Sequence, residues 1–250
     1  MALYKERGEP IRRLIRQTAA QTDRPFGINL IPEVSGHAAE REQLLAALSE
    51  LPRSGFVTTS GLQDRDFADL VRRAQRCQVV QIGTPDDATA ALEIGAGALV
   101  LQGSEAGGHH LGRIASRDLL SEVRTRHAQA VLAVAGGIAT GIDLAAAIVA
   151  GADGAIAGTA FIPAHESRAH PDLKARVLSA DADDTVITSA STSAGPTVGI
   201  GCFGTPRPRQ AIANRLISSR RPWWKVVGYP CPGTAQRCPL LVLKADRSDG

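Results

Sequence analysis

The residues best suited to chemistry lie in one run, Gln102-Gly103-Ser104-Glu105-Ala106-Gly107-Gly108-His109-His110. A strand-like stretch ends at Gln102, and a glycine-rich turn then delivers two adjacent imidazoles. An imidazole titrates near neutrality and can act as a general base, and glycines let a backbone approach a flat ligand closely. A flexible loop with two exposed histidines fits the same composition equally well. The second segment, Ala135-Gly136-Gly137-Ile138-Ala139-Thr140-Gly141, joins a buried strand to a helix. Bare amides at a helix start make a phosphate site, although a tight turn that binds nothing needs no more than this Gly-Gly. The third is Gly158-Thr159, after the last strand-like run. Barrel phosphate sites combine the loops after the seventh and eighth strands, so small residues in both loops together favour a phosphate over empty turns. The fourth is Asn29, a carboxamide in the apolar run Gly27-Ile28-Asn29-Leu30-Ile31. If buried it needs a partner; a ligand could supply one, and a neighbouring backbone group is the commoner answer.

These residues need elements to position them. Short apolar, β-rich runs at 26–31, 55–58, 78–82, 98–102, 131–135 and 154–157 alternate with amphipathic stretches at 39–51, 64–75, 86–94, 117–126 and 142–149. The runs lack polar alternation, which suits parallel strands covered on both faces. Thr84-Pro85-Asp86-Asp87 predicts a helix start, with a capping hydroxyl, proline at the first helical position and acids at the positive dipole end. Ala91-Leu92-Glu93-Ile94-Gly95-Ala96 before Ala98 echoes Ala147-Ile148-Val149-Ala150-Gly151-Ala152 before Gly154. One helix-to-strand joint used twice is expected of repeated βα units. The alternation predicts an α/β fold with a parallel sheet. Six strands fall short of the eight in a closed barrel, and an open doubly wound sheet would accept them.

The bulk composition narrows the function classes. A net charge of +3 with arginines spread along the chain gives no case for nucleic acid. No apolar run is long enough to span a bilayer, and residues 1–16 carry no export signal, so a cytoplasmic protein is expected. Cys77, Cys202, Cys231 and Cys238 lack metal or disulfide-framework spacing and read as isolated thiols. His165, Glu166 and His170 read as a solvated helix start rather than a metal cluster. No nucleophile elbow or Walker loop is present.

Taken in order, the segments resemble the nitronate monooxygenase (2-nitropropane dioxygenase-like) family. The resemblance runs from Arg24-Pro25-Phe26-Gly27-Ile28-Asn29-Leu30 through Val80-Gln81-Ile82-Gly83-Thr84, Glu105-Ala106-Gly107-Gly108-His109 and Gly136-Gly137-Ile138 to Gly154-Ala155-Ile156-Ala157-Gly158-Thr159. It fades after Asp181-Ala182-Asp183-Asp184-Thr185-Val186. It implies a TIM-like (β/α) barrel holding FMN non-covalently. By position, Asn29, Gln102, Gly107, Gly137, Ile156, Ala157, Gly158 and Thr159 would bind FMN, with Gly137 and Thr159 at the phosphate and Gln102 nearer the isoalloxazine. His109 matches the family's active-site histidine, which takes the proton α to the nitro group of neutral nitroalkanes. The nitronate is then oxidised with O₂ to a carbonyl compound and nitrite. His110 is its neighbour and the lesser candidate.

Two departures from the family pattern shape the expected domains. The chain opens in the helix before the family's third strand, so 1–190 is expected to be a barrel domain lacking the first two strands. Open strand edges of that kind predict association between copies. The remaining 191–250 reads as an irregular tail with Trp223-Trp224 and no helix or strand period. A reading-frame shift near residue 190 would account for it, and the rarity of lysine fits a GC-rich gene. Two alternative readings are an FMN-dependent enoyl-carrier-protein reductase, whose barrel has a similar Gly-Gly-His loop, and a non-catalytic remnant.

Overall fold

Apolar runs without polar alternation become parallel strands here, because helices cover one face and the inner side chains of the sheet cover the other. The computed structural model describes residues 2–3, 6–181, 184–188, 200–203, 227–230 and 237–240. The chain runs β1 (Ala2–Leu3), α1 (Glu9–Ala19), β2 (Gly27–Leu30), α2 (Pro32–Ser35), α3 (His37–Leu48), β3 (Phe56–Ser60), α4 (Arg65–Arg73), β4 (Cys77–Ile82), α5 (Pro85–Glu93) and β5 (Ala98–Gln102). It continues through β6 (Gly108–His109), α6 (Ser116–Arg126), β7 (Leu132–Ala135), α7 (Gly141–Val149), β8 (Gly154–Ile156), a 3-10 turn (Thr159–Phe161), α8 (Pro171–Ser179), β9 (Thr185–Thr188), β10 (Ile200–Phe203), β11 (Val227–Pro230) and β12 (Arg237–Leu240).

Strands β1-β2-β3-β4-β5-β7-β8 form one parallel sheet in that order. This is the expected α/β architecture, an open portion of a barrel wall wrapped by helices. It holds one strand more than the six read from the sequence. The addition, β1, is two residues long and pairs with Asn29 and Leu30 of β2, too short to carry a periodicity. Among the described residues β1 pairs only with β2 and β8 only with β7, so the sheet keeps two edges.

The strand period sorts the core into two layers. Ile28, Leu30 and Val57 point outward onto Ile11, Ile15, Leu44, Phe67 and Val71 of the helices. Ile82, Leu99, Leu101, Leu132 and Val134 do the same against Leu119, Leu120 and Val123. The alternate residues Cys77, Val79, Ala98, Val100 and Ala133 form the inner floor, with Phe56 and Val131 beside them. Leu101 is fully buried in the outer layer. Leu101→Ala is expected to cost about 2–5 kcal/mol, read as a lower denaturation midpoint at unchanged slope.

Helix starts follow their side chains. Thr84 caps α5, accepting from the Asp87 amide at 3.2 Å with Pro85 at the first turn, as expected from the sequence. Asp64 caps α4, accepting from the Phe67 amide at 2.7 Å. Near the β8 edge, Asp153 accepts from the Leu132 amide at 2.9 Å and from Arg124 at 2.8 Å, tying α6, β7 and β8 together. Helix α7 buries none of its residues, and Ile142 and Val149 are 78% and 86% exposed.

His165 and Glu166 lie in the turn before α8, and His170 caps that helix, Nδ1 accepting from the Asp172 amide at 3.3 Å. Among the described residues no group of acids, histidines and cysteines could hold a metal, and no helix is long and apolar enough to cross a membrane. The tail expected to be irregular contributes the short strands β10, β11 and β12, made by backbone pairing that no side-chain period announces. The expected reading-frame shift near residue 190, Trp223-Trp224 and the surroundings of Cys202, Cys231 and Cys238 lie outside the described residues and side chains.

Candidate functional site

The loop after β5 is pinned at many points. Its amides donate from Gly103 to the Ala135 carbonyl at 2.8 Å, from Ser104 to Ile114 at 2.9 Å and from Ala106 to Gly103 at 3.0 Å. Glu105 turns back to the start of α6, where its carboxylate accepts from the Ser116 amide at 2.9 and 3.3 Å. Helix α6 has no capping side chain at Ala115, and Glu105 supplies the missing acceptor at the positive end of the dipole. Gln102 is 3% exposed. Its Nε2 donates to the His109 carbonyl at 2.7 Å and its Oε1 accepts from the Leu111 amide at 2.9 Å. The Gly108–His109 strand also pairs antiparallel with Ile200 and Gly201.

Backbone packing fixes the rest of the loop. A Cβ on Gly83, just past β4, would sit 2.3 Å from the Leu111 carbonyl carbon, and one on Gly112 would sit 2.2 Å from the Gly83 oxygen. On the other side, a Cβ on Gly136 would meet the Ala106 amide nitrogen at 2.8 Å. Gly136 and Gly137 both adopt positive φ, +118° and +70°, which side chains rarely tolerate. A Cβ on Gly107 would stand 3.6 Å from Thr159 Oγ1. The loops after β5, β7 and β8 are therefore neighbours, and Gly107, Gly137 and Thr159 share one face of the molecule. The Cβ directions of Gly108 and Gly158 open onto space. Ile156 is 43% exposed, Ala157 is half-buried, and Gly158 and Thr159 are exposed.

His109 and His110 are both half-buried. Burial pushes the His110 imidazole below its usual range; the Ala106 backbone offsets part of this, and the Arg113 charge adds to it. Among the described residues neither His110 ring nitrogen has a hydrogen-bond partner of good geometry, the Ala106 contact included. Burial thus disfavours the charged form of the His110 imidazole.

Asn29 stands apart from this cluster. In the pairing register it is level with Thr58, Val79 and Ala98, four residues below Gln102 on β5. Its partner is a side chain rather than the neighbouring backbone group that is the commoner answer for a buried carboxamide. The Thr58 hydroxyl lies 2.9 Å from Asn29 Oδ1 and 2.9 Å from the Ile28 carbonyl, and shares its hydrogen between them. By strand alternation Thr58, Ser60 and Gln81 share this inner face with Asn29 and Gln102. Among the described residues Ser60 Oγ is buried without a partner, and so is Nε2 of Gln63 in the following loop. The sequence reading missed these groups, although hydroxyls and carboxamides at alternate positions of buried strands were a usable signal.

The β7–α7 turn differs in detail from a row of bare amides. Asp143 Oδ2 accepts from the amides of Ala139 at 3.1 Å and Thr140 at 2.7 Å, and from the Thr140 hydroxyl at 2.8 Å. The Thr140 hydroxyl in turn accepts from the Asp143 amide, completing a capping box. Burial alone would raise the Asp143 carboxyl, but these hydrogen bonds outweigh it and hold it below its ordinary range. A depressed carboxylate contributes stability above its unfolded pKa and loses it as pH falls through the folded one. Thr140→Ala is therefore expected to cost about 1 kcal/mol near neutrality. In urea melts its gap to the parent should narrow as acid protonates Asp143, and a gap constant into acid would contradict the cap.

The residues present fit a phosphate-bearing planar cofactor on two counts. Glycine backbone is exposed where three loops meet, and orphaned donors at Ser60 and Gln63 lie at the strand ends. The family model described as nitronate monooxygenase matches residues 40–195. A Mycobacterium tuberculosis protein named (3aS,4S,5R,7aS)-5-hydroxy-7a-methyl-1-oxo-octahydro-1H-indene-4-carboxyl-CoA dehydrogenase is 33% identical over 181 residues, 70% of this chain and 48% of its own. A Bacillus subtilis protein named "Probable nitronate monooxygenase" is 33% identical over 139 residues, 52% of this chain and 40% of its own. The chain thus spans about half the length, or less, of the curated relatives it matches. Among solved structures, FabK from Thermotoga maritima superposes with a TM-score of 0.71 at 26% identity, covering 81% of this chain and 61% of that one. Nitroalkane oxidase from Streptomyces ansochromogenes gives 0.69 at 27% identity, covering 81% and 68%. With the family model matched across most of the sheet and all three site loops, this chain belongs to the nitronate monooxygenase family.

Proposed function

We propose that this chain is an FMN-binding oxidoreductase that converts alkyl nitronates, or the parent nitroalkanes, to a carbonyl compound and nitrite with O₂. The observation that carries this reading is the meeting of the loops after β5, β7 and β8, where Gly107 faces Thr159 beside a rigidly held His109. Gly107, Gly137, Gly158 and Thr159, with the Ile156–Ala157 approach, would cradle the phosphate end of FMN. Asn29 and Gln102 would line the inner wall beside its ring system. FMN, when bound, supplies the redox chemistry. His109 accepts the proton α to the nitro group when the substrate arrives neutral, and its loop sets where that proton is met. The protein is expected to work in the cytoplasm on a small molecule without nucleic acid or membrane. The edges at β1 and β8 favour association between copies.

A second reading has its own support. A relative named as a carboxyl-CoA dehydrogenase and the likeness to FabK favour an oxidoreductase acting on a thioester. The two readings separate in one pair of assays on the FMN-loaded chain. Nitrite release from ethyl nitronate supports the first, whereas NADH oxidation dependent on an enoyl thioester replaces it with the second. Silence in both, from a chain that melts cooperatively, would leave the family name describing ancestry alone.

A further inference from the structure

We propose that Ser60 and Gln63 bind the polar edge of the flavin ring and raise the reduction potential of the bound cofactor. This assignment rests on the reading of the chain as an FMN protein. Strand β3 ends at Ser60, and the Gly61 amide carries its ladder one step further by donating to the Gln81 carbonyl at 3.0 Å. Gly61 then turns the chain at a φ of +75°, and Asp64 caps α4. Gln63 lies inside this short turn. Both side chains are thus delivered at the C-terminal end of a strand, where parallel α/β folds place their sites. Ser60 is 5% exposed and Gln63 9%. Among the described residues Ser60 Oγ and Gln63 Nε2 have no hydrogen-bond partner. A buried donor left in that state is costly, and two of them at one strand end point to a ligand that accepts.

The pairing register says which part of the flavin they meet. Ser60 is level with Gln81, Val100 and Ala133, between the tier of Asn29 and the tier of Gln102. On the inner face Val79, Ala98, Val100 and Ala133 make an apolar floor under β4, β5 and β7. The polar residues Asn29, Thr58, Ser60 and Gln81 gather on β2, β3 and β4. A flavin ring divides in the same way, with a dimethylbenzene edge at one side and a pyrimidine edge bearing two carbonyl oxygens at the other. With the phosphate held by the loops after β7 and β8, the ring body would lie over the apolar floor and its carbonyl edge would meet β3. That edge gains negative charge when the ring is reduced. Hydrogen bonds to an ionised acceptor are roughly twice as strong as neutral ones, so donors placed there favour the reduced form.

The test compares Ser60→Ala and Gln63→Met with the parent, by titration with FMN, by the potential of the bound flavin and by melting without FMN. The FMN dissociation constant should rise about three- to tenfold in each variant. The two-electron potential should fall by up to about 30 mV, the equivalent of a tenfold shift towards the oxidised form. Without FMN the melting midpoint should match the parent's or exceed it, because each substitution removes a buried donor that nothing in the fold accepts. A lower midpoint in the flavin-free variants would show that these groups serve the fold, and would overturn the proposal. Unchanged affinity and potential, with a parent that retains FMN, would overturn it as well. A rise confined to the KM for ethyl nitronate would give the two donors to the substrate instead. Failure of the underlying reading looks different, since the parent itself would then bind no flavin.

Discussion

Replacing His109 by asparagine is expected to lower turnover of a neutral nitroalkane by roughly 10²–10⁴-fold, the usual contribution of a positioned general base. Turnover of the corresponding nitronate should fall far less, because that substrate has already lost its α proton. The variant should fold as the parent does. His109 is held through its backbone, by the Gln102 carboxamide at 2.7 Å and by pairing with Ile200, and neither contact involves the imidazole. The side chain is only half-buried, so its loss opens no sealed cavity. His110 makes a useful control, its charged form being disfavoured by burial and neither ring nitrogen being well partnered among the described residues. Equal losses on nitroalkane and nitronate would assign His109 to binding rather than to proton transfer.

The second large effect is expected from a single methyl group. Gly83→Ala would place Cβ 2.3 Å from the Leu111 carbonyl carbon and 2.4 Å from the Gly112 amide. Both obstacles are backbone, so no flexible side chain can swing away. Overpacking of this kind typically costs about 1–3 kcal/mol, and here the atoms that must move belong to the loop carrying His109. The expected result is a lower melting temperature together with weaker flavin retention. Gly158→Ala supplies the contrast, because its Cβ would meet nothing within 4 Å and its φ is ordinary for an L-residue. Its effect on stability should stay within about 0.5 kcal/mol. A Gly83→Ala protein that melts with the parent and retains flavin as well would show that the loop does not need this close approach.

The sequence carried more of the fold than of the site's internal wiring. Strands such as Ala98–Gln102 were legible because burial on both faces demands an unbroken apolar run. Strand β1 was not, since two residues hold no period and its place is set by pairing with Asn29 and Leu30. The glycines of the β5 and β7 loops were visible as turn chemistry, and their meeting through Gly136 and Ala106 required the three-dimensional crossing of two loops. Gln102 stood out as a polar end to an apolar strand. Its bonds to residues seven and nine positions on depend on a loop path that no spacing encodes. Asn29 had to have a partner if buried, and the β2–β3 register chose Thr58. The Thr140–Asp143 capping box, by contrast, was readable as a hydroxyl three residues before an acid. Reading it would have shown in advance that two of the amides at the α7 start are taken.

The account turns on whether these loops hold FMN, and the visible absorption spectrum of the purified chain tests that most directly. FMN is added in excess and unbound flavin is removed by desalting. The account predicts retained flavin bands in proportion to protein, diminished by Gly83→Ala. A chain that melts cooperatively yet leaves the column colourless would contradict it.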